Sequence, residues 1–210
     1  PQCRPASRKS ERARDPAGRI LSTFAVVTGG GTAGHVLPAL AVAGALAAAG
    51  HEADSIHYVG CMRGIETRLL PETLYPHTFF DVVGFQRSLS RRNLAFAPKM
   101  WRARSEAVAL LRRLDPNVVV TVGGYASMPA VLAARKLGVP IVVVSYDFVP
   151  GRASQFAARS AAACAVAFEN SPLPKATVTG APVRQAILAL DRVGDRAAAR
   201  RRLGVPDDRF

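Results

Sequence analysis

Phe24-Ala25-Val26-Val27-Thr28-Gly29-Gly30-Gly31-Thr32-Ala33-Gly34-His35, continuing through Val36-Leu37-Pro38-Ala39-Leu40-Ala41 to Ala49, decides the fold. Phe24–Thr28 is apolar or β-branched without alternation, the pattern of a strand covered on both faces. Four glycines within the six positions 29–34 make a turn. Val36–Ala49 then reads as a helix, with Gly50 placed to end it. Strand, glycine turn and helix in this order open a parallel α/β sheet. Ligands of such sheets bind at the carboxyl ends of the strands, where Gly29–His35 falls. Glycines let a phosphate approach the backbone, and a helix N-terminus offers free N–H groups and partial positive charge. Thr32 adds a hydroxyl, and His35 opens the helix facing whatever binds.

The same alternation continues outward. Further strands are predicted at Ser55–Val59, His77–Val82, Val118–Val122, Ile141–Ser145 and Ala163–Ala167, with a short one at Ala176–Thr179. Helices are predicted at Ile65–Leu70, Pro98–Leu114, Pro129–Leu137 and Ala153–Ser160. Continuously apolar runs such as Ile141-Val142-Val143-Val144 favour a mostly parallel, Rossmann-like sheet with helices on both faces. Residues 1–22 read as a disordered basic tail, 23–182 as the Rossmann-like domain and 183–210 as a helical linker leading toward a further domain.

The 210 residues, 49% of them hydrophobic, suffice for one substantial core. No apolar run reaches the ~20 residues a spanning helix needs. Cys3, Cys61 and Cys164 are widely spaced and form no ligand pattern, so reduced thiols, a cytoplasmic setting and no metal are expected. The formal charge is +13. Residues 87–113 hold eight Lys or Arg against the single acid Glu106. These cations are interleaved with Leu89, Leu94, Phe96 and Trp101. No nucleic-acid recognition motif accompanies them. Leu89, Arg91, Arg92, Leu94, Phe96 and Lys99 are therefore expected to contact an anionic membrane surface. Trp101, Val108, Leu111 and Leu114 are expected to form the core face of their helix.

The glycine spacing also satisfies a dinucleotide fingerprint. That fingerprint needs an acid at the end of the second strand to hold a ribose. The second strand instead ends at Val59-Gly60-Cys61, and Asp54 precedes it. No nicotinamide or other cofactor is expected.

A second glycine turn, Gly123-Gly124-Tyr125-Ala126-Ser127, follows the fourth strand at the same edge. Together with Gly180-Ala181-Pro182-Val183-Arg184, the two turns resemble, in order and spacing, the motifs of the MurG family of N-acetylglucosaminyltransferases, within glycosyltransferase family 28. The resemblance runs from about residue 24 to 190. It implies the N-terminal half of a two-domain GT-B glycosyltransferase. It implies inverting transfer from UDP-N-acetylglucosamine to undecaprenyl-pyrophosphoryl-N-acetylmuramyl pentapeptide at the cytoplasmic membrane face. The N-terminal half would hold the acceptor.

By the same resemblance, His35 is the candidate base that takes the acceptor's proton, work suited to an imidazole near neutrality. From the residues alone, a loop-bracing histidine stands equal to that role. Gly30, Gly31, Thr32, Ala33, Gly34, Gly123, Gly124 and Tyr125 are expected around the pyrophosphate, with Arg184 toward the donor. One segment departs from the family. Where it usually carries His-Glu-Gln-Asn, this chain has Val144-Ser145-Tyr146-Asp147, which places Asp147 at a substrate-contacting position. The alternative is a divergent module that binds lipid-linked pyrophosphate, or a different acceptor, without turnover.

Overall fold

Strand β1 (Ala25–Gly29) is fully buried and is an interior strand of a seven-stranded sheet. The computed structural model describes residues 23–84 and 96–206, apart from the side chains of residues 96 and 97. The other strands are β2 (Ile56–Cys61), β3 (His77–Phe80), β4 (Val118–Gly123), β5 (Ile141–Ser145), β6 (Ala163–Val166) and β7 (Ala176–Val178). Their order is β3-β2-β1-β4-β5-β6-β7, and every ladder is parallel. The chain steps outward from β1 to β3, then returns to place β4 on the other side of β1. The gap between β1 and β4 is therefore the topological switch point, where such sheets bind ligands.

Helices α1 (Ala33–Ala48) and α2 (Glu66–Leu69) lie on one face, where Val27, Val36, Ala39, Tyr58 and Leu70 pack together. Helices α3 (Phe96–Leu114), α4 (Met128–Leu137) and α5 (Arg152–Ala158) cover the other, around Val26, Leu111, Val119 and Val143. Two short helices, α6 (Gln185–Leu188) and α7 (Arg196–Leu203), follow β7. No helix among the described residues is long and apolar enough to cross a membrane.

Three expectations need correction. Helix α1 begins at Ala33, not Val36, so Ala33, Gly34 and His35 occupy its first turn. Gly31, at φ +87°, turns the chain sharply enough for the helix to start directly after Thr32. Strand β3 stops at Phe80, where the Val82 N–H folds back onto the Phe80 carbonyl. Trp101 is not core: it is 72% exposed, while Val108 and Leu111 are buried. The buried stripe of α3 runs through Ala103, Ala107, Leu110 and Leu111. At 100° per residue, Trp101 points more than a right angle away from the centre of that stripe.

Candidate active site at the switch point

The turns after β1 and β4 lie side by side because the two strands are paired up to Gly29 and Gly123. They interlock too closely for side chains. A Cβ at Gly124, which has φ +79°, would stand 2.6 Å from the Gly30 carbonyl oxygen. A Cβ at Gly31 would stand 2.6 Å from the Tyr125 ring. The glycines here are thus required by packing between the loops, in addition to any ligand.

The loop is braced from below by a residue that the motifs did not reveal. Glu66, at the start of α2, is completely buried. Its carboxylate accepts from the Gly31 N–H at 3.1 and 3.3 Å and from the Cys61 N–H at 2.9 Å. A Cβ at Gly30 or Gly64 would strike that carboxyl group, and one at Gly60 would strike the Glu66 Cγ. Tyr58 adds a second brace, donating its hydroxyl to the Gly29 carbonyl at 2.5 Å. Burial pushes the Tyr58 phenol well above its ordinary range, with the Glu66 charge adding to the effect, so it remains a donor.

These contacts narrow the anion cradle. The Gly31 N–H is occupied by Glu66, and the Gly123 N–H donates to Thr121 Oγ1 at 3.2 Å. In the first turn of α1, the His35 and Val36 N–H groups both reach back to the Thr32 carbonyl. The N–H groups of Ala33 and Gly34 have no intrahelical partner and lie on an exposed turn.

His35 is half-buried, and its ring lies over the second glycine turn. Its Cγ and Nδ1 stand 3.3 and 3.4 Å from where a Gly124 Cβ would be, and its Nε2 stands 3.8 Å from the equivalent Gly123 position. Nδ1 is hydrogen-bonded to Thr32 Oγ1 at 3.0 Å. When Nδ1 carries the proton and donates it to Thr32, the lone pair of Nε2 is available to accept another.

Tyr125 faces inward. Its ring packs on Gly31 and Gly84, and its hydroxyl lies 3.6 Å from Cys61 Sγ. Burial, reinforced by that contact, holds its phenol far above the usual range, so it is a neutral group. Asp147 is exposed just past β5, next to Tyr146, whose hydroxyl donates to the Gly34 carbonyl. Arg184 is exposed at the N-cap of α6, a helix that approaches α1. The structure therefore brings together Gly30–His35, Gly123–Tyr125 and the Tyr146–Asp147 segment.

Of the expected membrane-contact residues, Leu89, Arg91, Arg92 and Leu94 lie outside the described residues. Phe96 begins α3, and its side chain is likewise outside them. Lys99 is bound internally, with its Nζ 2.6 Å from Asp81 Oδ2. That contact holds the Asp81 carboxyl below its ordinary range. Further along α3, a 220 Å³ groove is lined by Trp101, Arg104, Val108 and Arg112 together with Lys136 of α4. Cys61 and Cys164 are buried free thiols, and no cluster of three or more metal-ligating side chains occurs among the described residues.

Comparison with known proteins identifies the family. The glycosyltransferase family 28 N-terminal domain matches residues 25–166. A UDP-N-acetylglucosamine–N-acetylmuramyl-(pentapeptide) pyrophosphoryl-undecaprenol N-acetylglucosamine transferase of Mycobacterium avium is 42% identical over 205 residues, covering 92% of this chain and 50% of the relative. A protein of the same name from Nocardioides is 42% identical over 185 residues, covering 88% of this chain and 50% of the relative. The chain thus spans about half the length of these curated relatives. Acinetobacter baumannii MurG superposes with a TM-score of 0.66 at 30% identity, over 78% of this chain and 47% of that one. A UDP-N-acetylglucosamine 2-epimerase from Rickettsia bellii, at TM-score 0.56 and 12% identity over 89% of this chain and 52% of its own, shares the fold alone. With its parallel sheet, paired glycine turns and a domain match over most of its length, the chain belongs to glycosyltransferase family 28.

Proposed function

We propose that this chain is the acceptor-binding half of a transferase. The reaction moves N-acetylglucosamine from UDP-N-acetylglucosamine to undecaprenyl-pyrophosphoryl-N-acetylmuramyl pentapeptide. Residues 23–182 form the acceptor domain, and residues 183–210 link it to a donor-binding half. The names of the curated relatives carry the donor and acceptor. The observation that carries the chemistry is His35, whose ring lies over Gly123-Gly124 with Nδ1 tethered by Thr32.

In this reading the acceptor pyrophosphate rests on the Ala33 and Gly34 N–H groups, supported by the partial positive charge of α1. Its sugar hydroxyl attacks the anomeric carbon of the donor. The bond from that carbon to the UDP oxygen breaks, and UDP leaves with the bonding electrons. The hydroxyl proton passes to His35 Nε2. Direct displacement inverts the anomeric centre. Gly30, Gly31, Gly123, Gly124 and Tyr125 shape the cradle rather than supplying most of its donors. Arg184 and Asp147 flank the donor side.

The chain works at the cytoplasmic face of the membrane, where its lipid-linked acceptor lies. The exposed Trp101, beside Arg104, Arg112 and Lys136, supports a peripheral contact with an anionic leaflet. Each cation near such a surface contributes about 1 kcal/mol, and an interfacial Trp adds an amphipathic anchor. On sequence alone, Leu89, Arg91, Arg92, Leu94 and Phe96 are assigned to membrane contact as well.

The test is transfer of labelled N-acetylglucosamine to the lipid-linked acceptor by the complete protein. Formation of the disaccharide product is expected. Acceptor binding without turnover would instead identify a binding module.

A further inference from the structure

Pro38 interrupts the hydrogen-bond ladder of α1 at the turn that carries the site. In an α-helix the carbonyl of residue i accepts from the N–H of residue i+4. The residue four beyond Gly34 is Pro38, which has no N–H. The orphaned Gly34 carbonyl is the atom to which Tyr146, 112 residues away at the end of β5, donates its hydroxyl. Tyr146 is half-buried. Burial, with the Asp147 charge as a second cause, pushes its phenol above the ordinary range, so the donor proton is kept.

We propose that Tyr146 is a positioning residue for the transfer site, supplying the hydrogen bond that Pro38 removes and tying the first turn of α1 to β5. The placement gives this bond leverage over function. The Gly34 carbonyl belongs to the same peptide unit as the His35 nitrogen. The Gly34 N–H is one of the two first-turn donors left without an intrahelical partner. Fixing that carbonyl fixes the peptide plane that ends at the His35 Cα, which bears the imidazole, and at the Gly34 Cα, which adjoins the anion-binding amide. The Tyr146 hydroxyl thus gives the Ser145-Tyr146-Asp147 segment a part in holding the site. The inference rests on the transferase reading for its activity readout.

A double-mutant cycle on the complete protein tests it. Tyr146→Phe removes the hydroxyl and keeps the ring. Pro38→Ala restores a helical N–H to the Gly34 carbonyl, which makes the hydroxyl dispensable. In the parent background, Tyr146→Phe is expected to lower kcat/KM about tenfold. In the Pro38→Ala background the same change is expected to cost less than twofold. An unchanged kcat/KM in Tyr146→Phe, or an equal loss in both backgrounds, overturns the proposal.

A second readout is independent of activity. Within these 210 residues, labelling glycine carbonyls and histidine nitrogens selects two peptide units, Gly34-His35 and Gly50-His51. Tyr146→Phe is expected to move the Gly34 carbonyl resonance upfield and leave Gly50 in place. A Gly34 resonance that stays put overturns the proposal even if the parent protein proves inactive. A shifted resonance in a parent without transferase activity instead tells against the proposed function.

Discussion

Replacing Glu66 with Ala removes the brace under the first glycine loop. The carboxylate is fully buried and accepts from two backbone donors, at 2.9 Å from Cys61 and 3.1 Å from Gly31. Those N–H groups remain after the substitution, with no acceptor provided. An unsatisfied buried donor costs about 1–3 kcal/mol, and bonds to a charged acceptor lie toward the upper part of that range. Relief of the desolvated charge returns some of this, whereas the vacated volume adds a cavity cost. The net expectation is a loss of about 3–5 kcal/mol, a large share of the 5–15 kcal/mol typical of a folded domain. For a chain of this size that corresponds to a fall in Tm on the order of 10 °C. Glu66→Gln keeps one acceptor oxygen and is expected to lose roughly half as much. Urea unfolding of parent, Glu66→Ala and Glu66→Gln measures the series. A Glu66→Ala protein within 1 kcal/mol of the parent would refute the reasoning, because the loop amides would then have found other partners.

Other substitutions read other parts of the structure. His57 is buried on β2, with its Nε2 2.9 Å from Thr78 Oγ1. Burial first, then the charges of Arg113 and His77, push its pKa down from 6.5 to about 4. The folded state thus resists a proton that the unfolded chain accepts. Stability from this residue is intact above pH 6.5 and is lost as pH falls from 6.5 through 4, by about 3 kcal/mol in all. Urea midpoints of parent and His57→Gln should therefore converge between pH 7.5 and 4.5; a constant difference would contradict the sign. Gly124→Ala places a methyl at positive φ and 2.6 Å from the Gly30 carbonyl, so a loss above about 2 kcal/mol is expected in thermal unfolding. Trp101→Ala should leave the Tm within about 2 °C, because the side chain is exposed, yet weaken sedimentation with anionic vesicles severalfold. Unchanged sedimentation would remove Trp101 from the membrane contact.

The parallel core was readable because β1, β4 and β5 are runs of Val and Ile with no polar alternation, a pattern that only double-sided burial tolerates. The start of α1 was less readable. Thr32-Ala33-Gly34 has loop composition, and only the positive φ of Gly31 lets the helix begin there. Glu66 carried no usable signal. It lies in a short polar-looking segment, and its Gly31 partner is 35 residues away. Tyr146 was half legible, since the missing N–H of Pro38 is written in the chain while the donor that replaces it depends on the tertiary fold. Trp101 was expected on the core face with Val108, Leu111 and Leu114, but the packing stripe follows Ala103 and Ala107, whose small side chains suit the close approach of α3 to α4.

The most direct test of His35 as the base is the transfer rate of the complete protein with His35→Ala, measured at saturating UDP-N-acetylglucosamine and lipid-linked acceptor. The expected result is a fall in kcat of about 10²- to 10⁴-fold with the Tm nearly unchanged. A kcat within threefold of the parent would contradict the assignment of His35 as the base.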